Sequence, residues 1–369
     1  MTTLDAPDTP FAVVDVERLD RNAARLRDRL RQLGVPLRLH VKTAKSVEVA
    51  DRVQAGGPIT VSTLAEAEHF ADAGYQDILY AVGIDPHKLP RVAALLRRGV
   101  TLTVLLDTVV QAEAVTSFAH KETLHLPALI EIDCDGHRGG VAPTDPALVQ
   151  IGRALGDNLA GVLTHAGESY FACTPQALRQ AAQNERDTAV AAAETLRANG
   201  LPFPIVSVGS TPTAHAATDL TGVTEVRAGN YVFFDLVMAG IGVCDVQDLA
   251  LSVVVTVIGH QHDKNWILTD GGWMATSRDR GTQAQAVDQG YGLVADVHGT
   301  LMPDLLMTGA SQEHGVLSTR DGKPVPDLPI GTRLRILPNH ACATAAQHDH
   351  YQVVSGTTVE ATWTRHRGW

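Results

Sequence analysis

A chain of 369 residues with 30 basic and 41 acidic side chains has a formal charge of −11, so it lacks the cationic excess that a nucleic-acid binder uses to neutralise phosphates. Its 44 % hydrophobic and 19 % charged residues are an ordinary globular balance, and a core of this size needs no disulfide scaffold. No apolar run approaches the ~20 residues of a membrane span, the opening Met1-Thr2-Thr3-Leu4-Asp5 has neither the basic nor the apolar region of a secretory signal, and four scattered cysteines without a CxxC suit free thiols in a reducing cytoplasm.

In chain order, an opening strand at Phe11–Val16 precedes a repeating pattern. Short apolar strands follow at Leu37–Lys42, Ile59–Thr63, Asp77–Val82, Thr101–Leu106, Ala128–Asp133, Ala160–His165, Ile205–Gly209 and Glu225–Gly229. Helix-length stretches rich in Ala, Arg and Glu separate them, such as Leu64–Ala73, Lys88–Arg98, Thr108–His120 and Thr174–Asn199. Strands alternating with helices build a parallel sheet, and about eight such units in about 200 residues predict a closed (β/α)8 barrel. An open doubly wound sheet is the competitor, but the chain has no strand–GxGxxG–helix turn to support it. After Asp235 helical patterns thin out and Gly/Asp turns multiply. Strands are expected at Leu249–Ile258, Trp266–Thr269, Gly292–Asp296, Thr332–Leu337 and Tyr351–Val354. The predicted fold class is therefore α/β: a barrel over residues 21–240, then a β-rich domain over 241–369 that takes in the opening strand within 1–20.

In a barrel, functional side chains stand at the carboxyl ends of strands. Strand one ends in Leu39-His40-Val41-Lys42-Thr43-Ala44-Lys45, and His40 and Lys42 share a face because side chains alternate along a strand. A lysine at the barrel mouth between apolar walls is suited to Schiff-base chemistry, whereas Lys45 reads as a solvated loop lysine. Strand five ends in Asp133-Cys134-Asp135-Gly136-His137-Arg138, and strand six in Thr164-His165-Ala166-Gly167-Glu168-Ser169-Tyr170. Strand seven ends in Gly209-Ser210-Thr211-Pro212 and strand eight in Gly229-Asn230-Tyr231. Glycine turns with free amides after strands seven and eight suit a phosphate. Opposite a strand-one lysine, they point to pyridoxal phosphate.

Within the β-rich region, Pro338-Asn339-His340-Ala341-Cys342 places an imidazole and a thiol two residues apart, on one face if the segment is a strand. Such a pair suits Zn²⁺ and leaves coordination positions open for water or substrate. Gln312-Glu313-His314 comes after a Gly/Ser turn and is a further candidate for lining a site.

The ordered set His40-Val41-Lys42-Thr43, Asp135-Gly136-His137-Arg138-Gly139, Thr164-His165-Ala166-Gly167, Gly209-Ser210-Thr211-Pro212, Glu225-Val226-Arg227-Ala228-Gly229-Asn230-Tyr231-Val232-Phe233-Phe234-Asp235 and Pro338-Asn339-His340-Ala341-Cys342 resembles the D-serine dehydratase and D-threonine aldolase group. That group belongs to the fold-type III pyridoxal phosphate enzymes of the alanine-racemase fold, and the resemblance covers the chain from Asp8 to Trp369. It implies that Lys42 carries the cofactor and that Arg138 contacts its phenolic oxygen. Gly209, Ser210, Thr211, Gly229 and Asn230 would hold the phosphate, with His40 and Tyr231 also at the cofactor. His165 would stack on the ring, Tyr170 would reach the substrate, and His340 and Cys342 would bind the metal. It also implies a homodimer acting on a small D-3-hydroxy amino acid.

The aldolases of this group tend to carry H-x-D, which favours harder ions, whereas Cys342 matches the zinc dehydratases. The expected activity is therefore dehydration of substrates such as D-threo-3-hydroxyaspartate or D-serine, with Lys42 taking the Cα proton and Zn²⁺, or else Mn²⁺ or Co²⁺, assisting loss of the β-hydroxyl. The alternative is a retro-aldol enzyme giving glycine and an aldehyde. A non-catalytic pyridoxal phosphate carrier is a further class, but such carriers resemble a lone barrel without an H-x-C segment.

Overall fold

The computed structural model describes residues 2–369. Strands β1 (Thr2–Thr3) and β2 (Phe11–Asp15) precede helix α1 (Val16–Gln32). Strands and helices then alternate: β3 (Leu37–His40), α2 (Val47–Gln54), β4 (Ile59–Val61), α3 (Leu64–Asp72), β5 (Asp77–Gly83), α4 (Leu89–Arg97), β6 (Thr101–Leu106) and α5 (Val109–Glu122). The alternation continues through β7 (Ala128–Ile132), α6 (Pro146–Leu155), β8 (Leu159–Thr164), α7 (Pro175–Ala198), β9 (Ile205–Val208), α8 (Thr211–Ala216) and β10 (Glu225–Ala228). Beyond α9 (Leu236–Gly240) come β11 (Leu251–Gln261), β12 (Trp266–Thr269), α10 (Trp273–Thr276), β13 (Gly292–Asp296), β14 (Leu301–Ala310) and β15 (Gly315–Thr319). The last elements are β16 (Arg333–Pro338), α11 (Ala341–Ala345), β17 (His350–Ser355) and β18 (Thr358–Thr364). The chain divides into two compact units, residues 2–24 with Asn230–Arg365, and Arg25–Gly229 with His366–Trp369.

In the second of these units, β3 to β10 close into a parallel barrel in the order β10-β3-β4-β5-β6-β7-β8-β9. The turn from strand to helix is set by one device used repeatedly. Thr63, Thr108 and Thr174 cap α3, α5 and α7 by accepting the backbone N–H of Glu66, Gln111 and Ala177, and Asp145 caps α6 through Ala147. Pro146 and Pro175 occupy first-turn positions where a missing N–H does no harm.

The barrel interior is chemically divided. Leu79, Leu105, Leu129 and Leu163 form one apolar cluster across β5 to β8. On the opposite strands Arg38 donates to Glu225 and Asp77, Ser207 donates to Glu225, and Arg227 donates to Ser207 and to the Thr164 carbonyl. The last bond runs from β10 to β8 past the intervening β9, so this charged face looks into the barrel. A buried cation needs such partners to offset its lost hydration.

The other unit is a ten-stranded sheet in the order β1-β18-β17-β2-β11-β12-β15-β14-β13-β16, and a further β11–β16 pairing closes six strands into an antiparallel ring. The period of two explains its core. Val253, Val255 and Val257 of β11 pack inside the ring with Ile267, Val294, Leu305, Met307, Leu317, Leu334 and Ile336, while Val254 turns to Leu4, Phe11, Val13 and Val354. The opening strand β2 lies between β11 and β17. Strands β14, β15 and β18 were not expected from the sequence. Pro303 and Asp304 interrupt the β14 pattern, β15 is short and begins at Gly315, and β18 is a half-exposed run after the Gly356 turn.

Candidate active site

The barrel brings one set of expected residues together at its strand ends. Strand β3 stops at His40 and a turn carries Lys42. Burial, with Lys42, Arg227 and His165 as neighbours, holds the His40 imidazole well below its ordinary pKa. The same causes, burial first and then Lys42, lower His165 to about 3 against the opposing effect of its bond to the Gly209 carbonyl. His165 Nδ1 lies 2.9 Å from that carbonyl oxygen, which only accepts, so Nδ1 carries the proton. Both imidazoles are therefore neutral near pH 7.

Gly209 and Gly229 are glycines for a steric reason, the close approach of neighbouring backbone. Gly209 has φ +145°, and a Cβ there would collide with the Arg227 backbone. A Cβ on Gly229 would collide with the His40 carbonyl. The Gly209 N–H already donates to Glu185 Oε1 at 3.0 Å and the Ser210 N–H to Thr213 Oγ1 at 3.1 Å, so an anion at the ends of β9 and β10 would be met by other donors of those turns. Ser210 Oγ accepts the Thr213 N–H at 3.2 Å and lies 2.9 Å from both Thr213 Oγ1 and Ser169 Oγ. Thr211 begins α8, and Asn230 and Tyr231 come after Gly229 in a short turn in which both are buried. Tyr231 is fully buried.

Arg138 is exposed on its loop, with Nη2 3.5 Å from Glu131 Oε1. Two bonds tie this loop to the turn that carries Tyr170: His137 Nδ1 to Glu168 Oε1 at 2.8 Å, and Glu168 N–H to Asp135 Oδ2 at 2.9 Å. The Tyr170 and His165 ring centroids are 6.3 Å apart and tilted by 54°. Lys45, expected to be solvated, is not. Its side chain is 15 % exposed and its Nζ is 2.5 Å from Glu66 Oε1, whose side chain is fully buried.

In the β-rich unit, His340 and Cys342 stand together, but not on a strand. Strand β16 ends at Pro338, His340 is the N-cap residue of α11, and Cys342 lies in the first turn of that helix. Asn339 fixes the turn: its Oδ1 accepts from Thr282 N–H and Oγ1, and its Nδ2 donates to the Gly290 carbonyl at 2.7 Å. His340 Nδ1 donates to Asp279 Oδ2 at 2.8 Å, so Nε2 is the ring nitrogen that could bind a metal. Burial opposes protonation of His340, yet Cys342, Asp279 and Asp235 together raise its pKa to about 11. So anionic a setting favours a cation, and the imidazole–thiolate donor set fits a borderline-soft one. Among the described residues no group of three or more His, Cys, Asp or Glu side chains is arranged to hold a metal ion. Gln312, Glu313 and His314, by contrast, are all exposed in the β14–β15 loop.

Several supporting residues have no role assigned to them by the sequence. Glu185 on α7 is buried, and its Oε1 accepts the Ala166 N–H at 2.9 Å and the Gly209 N–H at 3.0 Å, joining the His165 strand end to the phosphate turn. Asp235 is buried between Asn230 Nδ2 and the Ala341 N–H, so it ties the turn after β10 to the peptide between His340 and Cys342. Asp279 and Thr282 lie far from residue 340 in sequence and carry no motif. Arg227 did leave a trace, a charge two residues before Gly229 in an otherwise apolar strand.

The description "Alanine racemase, N-terminal domain" matches residues 14–237, and "Putative serine dehydratase domain" matches residues 250–354. D-threo-3-hydroxyaspartate dehydratase of Delftia sp. (strain HT23) is 55 % identical over 100 % of this chain and 99 % of that protein. Its solved structure superposes with a TM-score of 0.98 and full coverage of both chains. A cysteine-to-alanine variant of that enzyme, described as the metal-free form, gives the same score. 3-Hydroxy-D-aspartate aldolase of Paracoccus denitrificans (strain Pd 1222) is 29 % identical over 96 % of this chain and 90 % of that protein.

Proposed function

The chain belongs to the alanine-racemase-fold family of pyridoxal phosphate enzymes that carries a serine dehydratase domain, and from that premise we propose a metal-dependent dehydratase of D-3-hydroxy amino acids. D-threo-3-hydroxyaspartate, the substrate named for the 55 % identical relative, is the preferred candidate, and its products would be oxaloacetate and ammonia. The observation that carries this reading is the His340–Cys342 pair with Asp279 on His340 Nδ1, because a racemase of the same fold has no evident use for a metal. When bound, pyridoxal phosphate supplies an electron sink for Cα and the metal a Lewis acid for the β-hydroxyl.

Lys42 Nζ takes the Cα proton. Loss of that proton and of the hydroxyl removes water across Cα–Cβ, and hydrolysis of the resulting enamine returns the water and releases a 2-keto acid with ammonia. Neutral His165, fixed by its bond to Gly209, offers a flat face for the cofactor ring rather than a proton. Tyr170, with its ring centroid 6.3 Å from that of His165, would reach the substrate, and Arg138 would serve the phenolic oxygen. Gly209, Ser210, Thr211, Gly229, Asn230 and Tyr231 would hold the phosphate, with His40 as a neighbour of Lys42.

Zn²⁺ is the metal that best suits a thiolate and an imidazole, and Mn²⁺ or Co²⁺ are the substitutes to test. A homodimer is inferred from the family, supported by exposed Val82, Val110 and Phe171 near the carboxyl-terminal rim of the barrel. Four free thiols suit a reducing cytoplasm, and no helix is long and apolar enough to cross a membrane. The aldolase reading stands second, favoured by the Paracoccus relative. Chelation tests the metal step. It is expected to abolish ammonia formation from D-threo-3-hydroxyaspartate while the visible cofactor band persists, and Zn²⁺ should restore turnover. Turnover unaffected by chelation would contradict the reading.

A further inference from the structure

Lys45 adopts φ +48°, a left-handed conformation that a long side chain takes up only when its surroundings impose it. Three contacts do so. Its N–H donates to the Val41 carbonyl at 2.7 Å, closing the turn that contains Lys42. Its carbonyl accepts the His366 N–H at 2.7 Å. Its Nζ pairs at 2.5 Å with Glu66, a fully buried carboxylate that also accepts the N–H and Oγ of Ser62 at 2.7 and 2.8 Å.

Residues His366–Trp369 are themselves held against the barrel. The His366 ring stacks on His69 of α3, with centroids 4.3 Å apart and planes 11° from parallel. Arg91 of α4 binds both oxygens of Glu68 at 2.8 Å and donates to the Trp369 carbonyl at 3.1 Å. The Trp369 ring lies 5.9 Å from Lys45 Nζ.

We propose that Lys45, gripped by Glu66 from within and by His366–Trp369 from outside, is a positioning residue that fixes the backbone of the Lys42 turn for catalysis. The inference rests on the assignment of Lys42 as the cofactor lysine. Its physical basis is that rate depends steeply on the placement of a reacting group, with a shift of about 1 Å lowering it on the order of 10²-fold. A lysine on a flexible stem is placed only as well as its Cα is. Strand β3 ends at His40 and its last bond to β4 is from the Val41 N–H to the Thr60 carbonyl at 2.9 Å, so the turn beyond Val41 must be held by other means.

The test uses the full-length holoenzyme. The double variant Lys45→Met/Glu66→Gln removes both buried charges together, so the fold is not left with one unpaired. It is expected to melt near the wild-type temperature and to keep the visible cofactor band. Its kcat should fall on the order of tenfold with KM nearly unchanged, the pH midpoint of the band should shift, and amides 42–46 should exchange faster in the cofactor-free protein. His366→Ala, which leaves the ion pair intact, should show the same changes more weakly, and Lys45→Arg should restore them. Wild-type kcat, band midpoint and amide exchange in both variants would overturn the proposal, even if the melting temperature fell. Borohydride reduction and peptide mapping separate the two possible failures. Label on Lys42 with unaltered variants sinks the clamp alone, whereas label on another lysine sinks the Lys42 assignment and the clamp with it.

Discussion

In the barrel unit the reactive side chains stand at strand ends, each within a few residues of the strand that places it. In the β-rich unit, His340 and Cys342 stand on a turn held from Asp279, 61 residues away, and from Asp235, 106 residues from the Ala341 amide it accepts. A barrel supplies eight similar strand ends, so a site there can be assembled by varying the loop after each strand. The antiparallel ring has no such common rim, and its His340–Cys342 pair depends on side chains drawn from unrelated positions. Chemistry on the barrel should therefore be sensitive mainly to the reacting residues, and chemistry on the ring also to their supports.

The largest expected effect is at Lys42. Lys42→Ala should abolish the visible cofactor band and lower turnover more than about 10³-fold, since it removes both the anchor and the base. Cys342→Ala should separate the two units. Metal content should fall and turnover with it, on the order of 10²-fold or more, while the cofactor band remains. Loss of the band in that variant would show that the two sites are not separately held.

Asp279→Asn sharpens the contrast, because it touches no substrate. An amide accepts the His340 proton less strongly and can present the wrong group to it, so metal affinity should fall about 10–100-fold, with turnover recovered at excess metal. A calorimetric titration with Zn²⁺ reads this directly, and an unchanged affinity would mean that His340 needs no support. The smallest effect belongs to the barrel's own support. Glu185→Ala orphans the buried N–H groups of Ala166 and Gly209, each at about 1–3 kcal/mol, and should weaken cofactor binding on the order of tenfold. Glu185→Gln, which keeps a carbonyl acceptor, should bind nearly as the parent does.

The same contrast explains what the sequence made legible. Eight apolar runs separated by helix-length stretches reveal a closed barrel, because every βα unit repeats one local pattern and one capping device. Lys42, His165 and the Gly209 and Gly229 turns are legible because each stands where an apolar strand gives way to a loop. Strands β14 and β15 stayed hidden, since Pro303, Asp304 and Gly315 mask a pairing that only the antiparallel neighbours make good. His340 and Cys342 were visible as residue types, but their setting on a helix N-terminus was not, because Asn339 shapes that turn through Thr282 and Gly290. Lys45 read as solvated because its partner Glu66 approaches from α3 and residues 366–369 from the far end of the sequence. Local periodicity carries none of these long-range contacts.

The central claim is metal-dependent elimination of water, and product analysis tests it most directly. Purified protein with pyridoxal phosphate and Zn²⁺ would be offered D-threo-3-hydroxyaspartate, D-serine and D-threonine, with ammonia, keto acid, glycine and aldehyde quantified together. Ammonia matched by keto acid is the predicted result. Glycine matched by aldehyde would contradict it and place the chain with the aldolases despite Cys342.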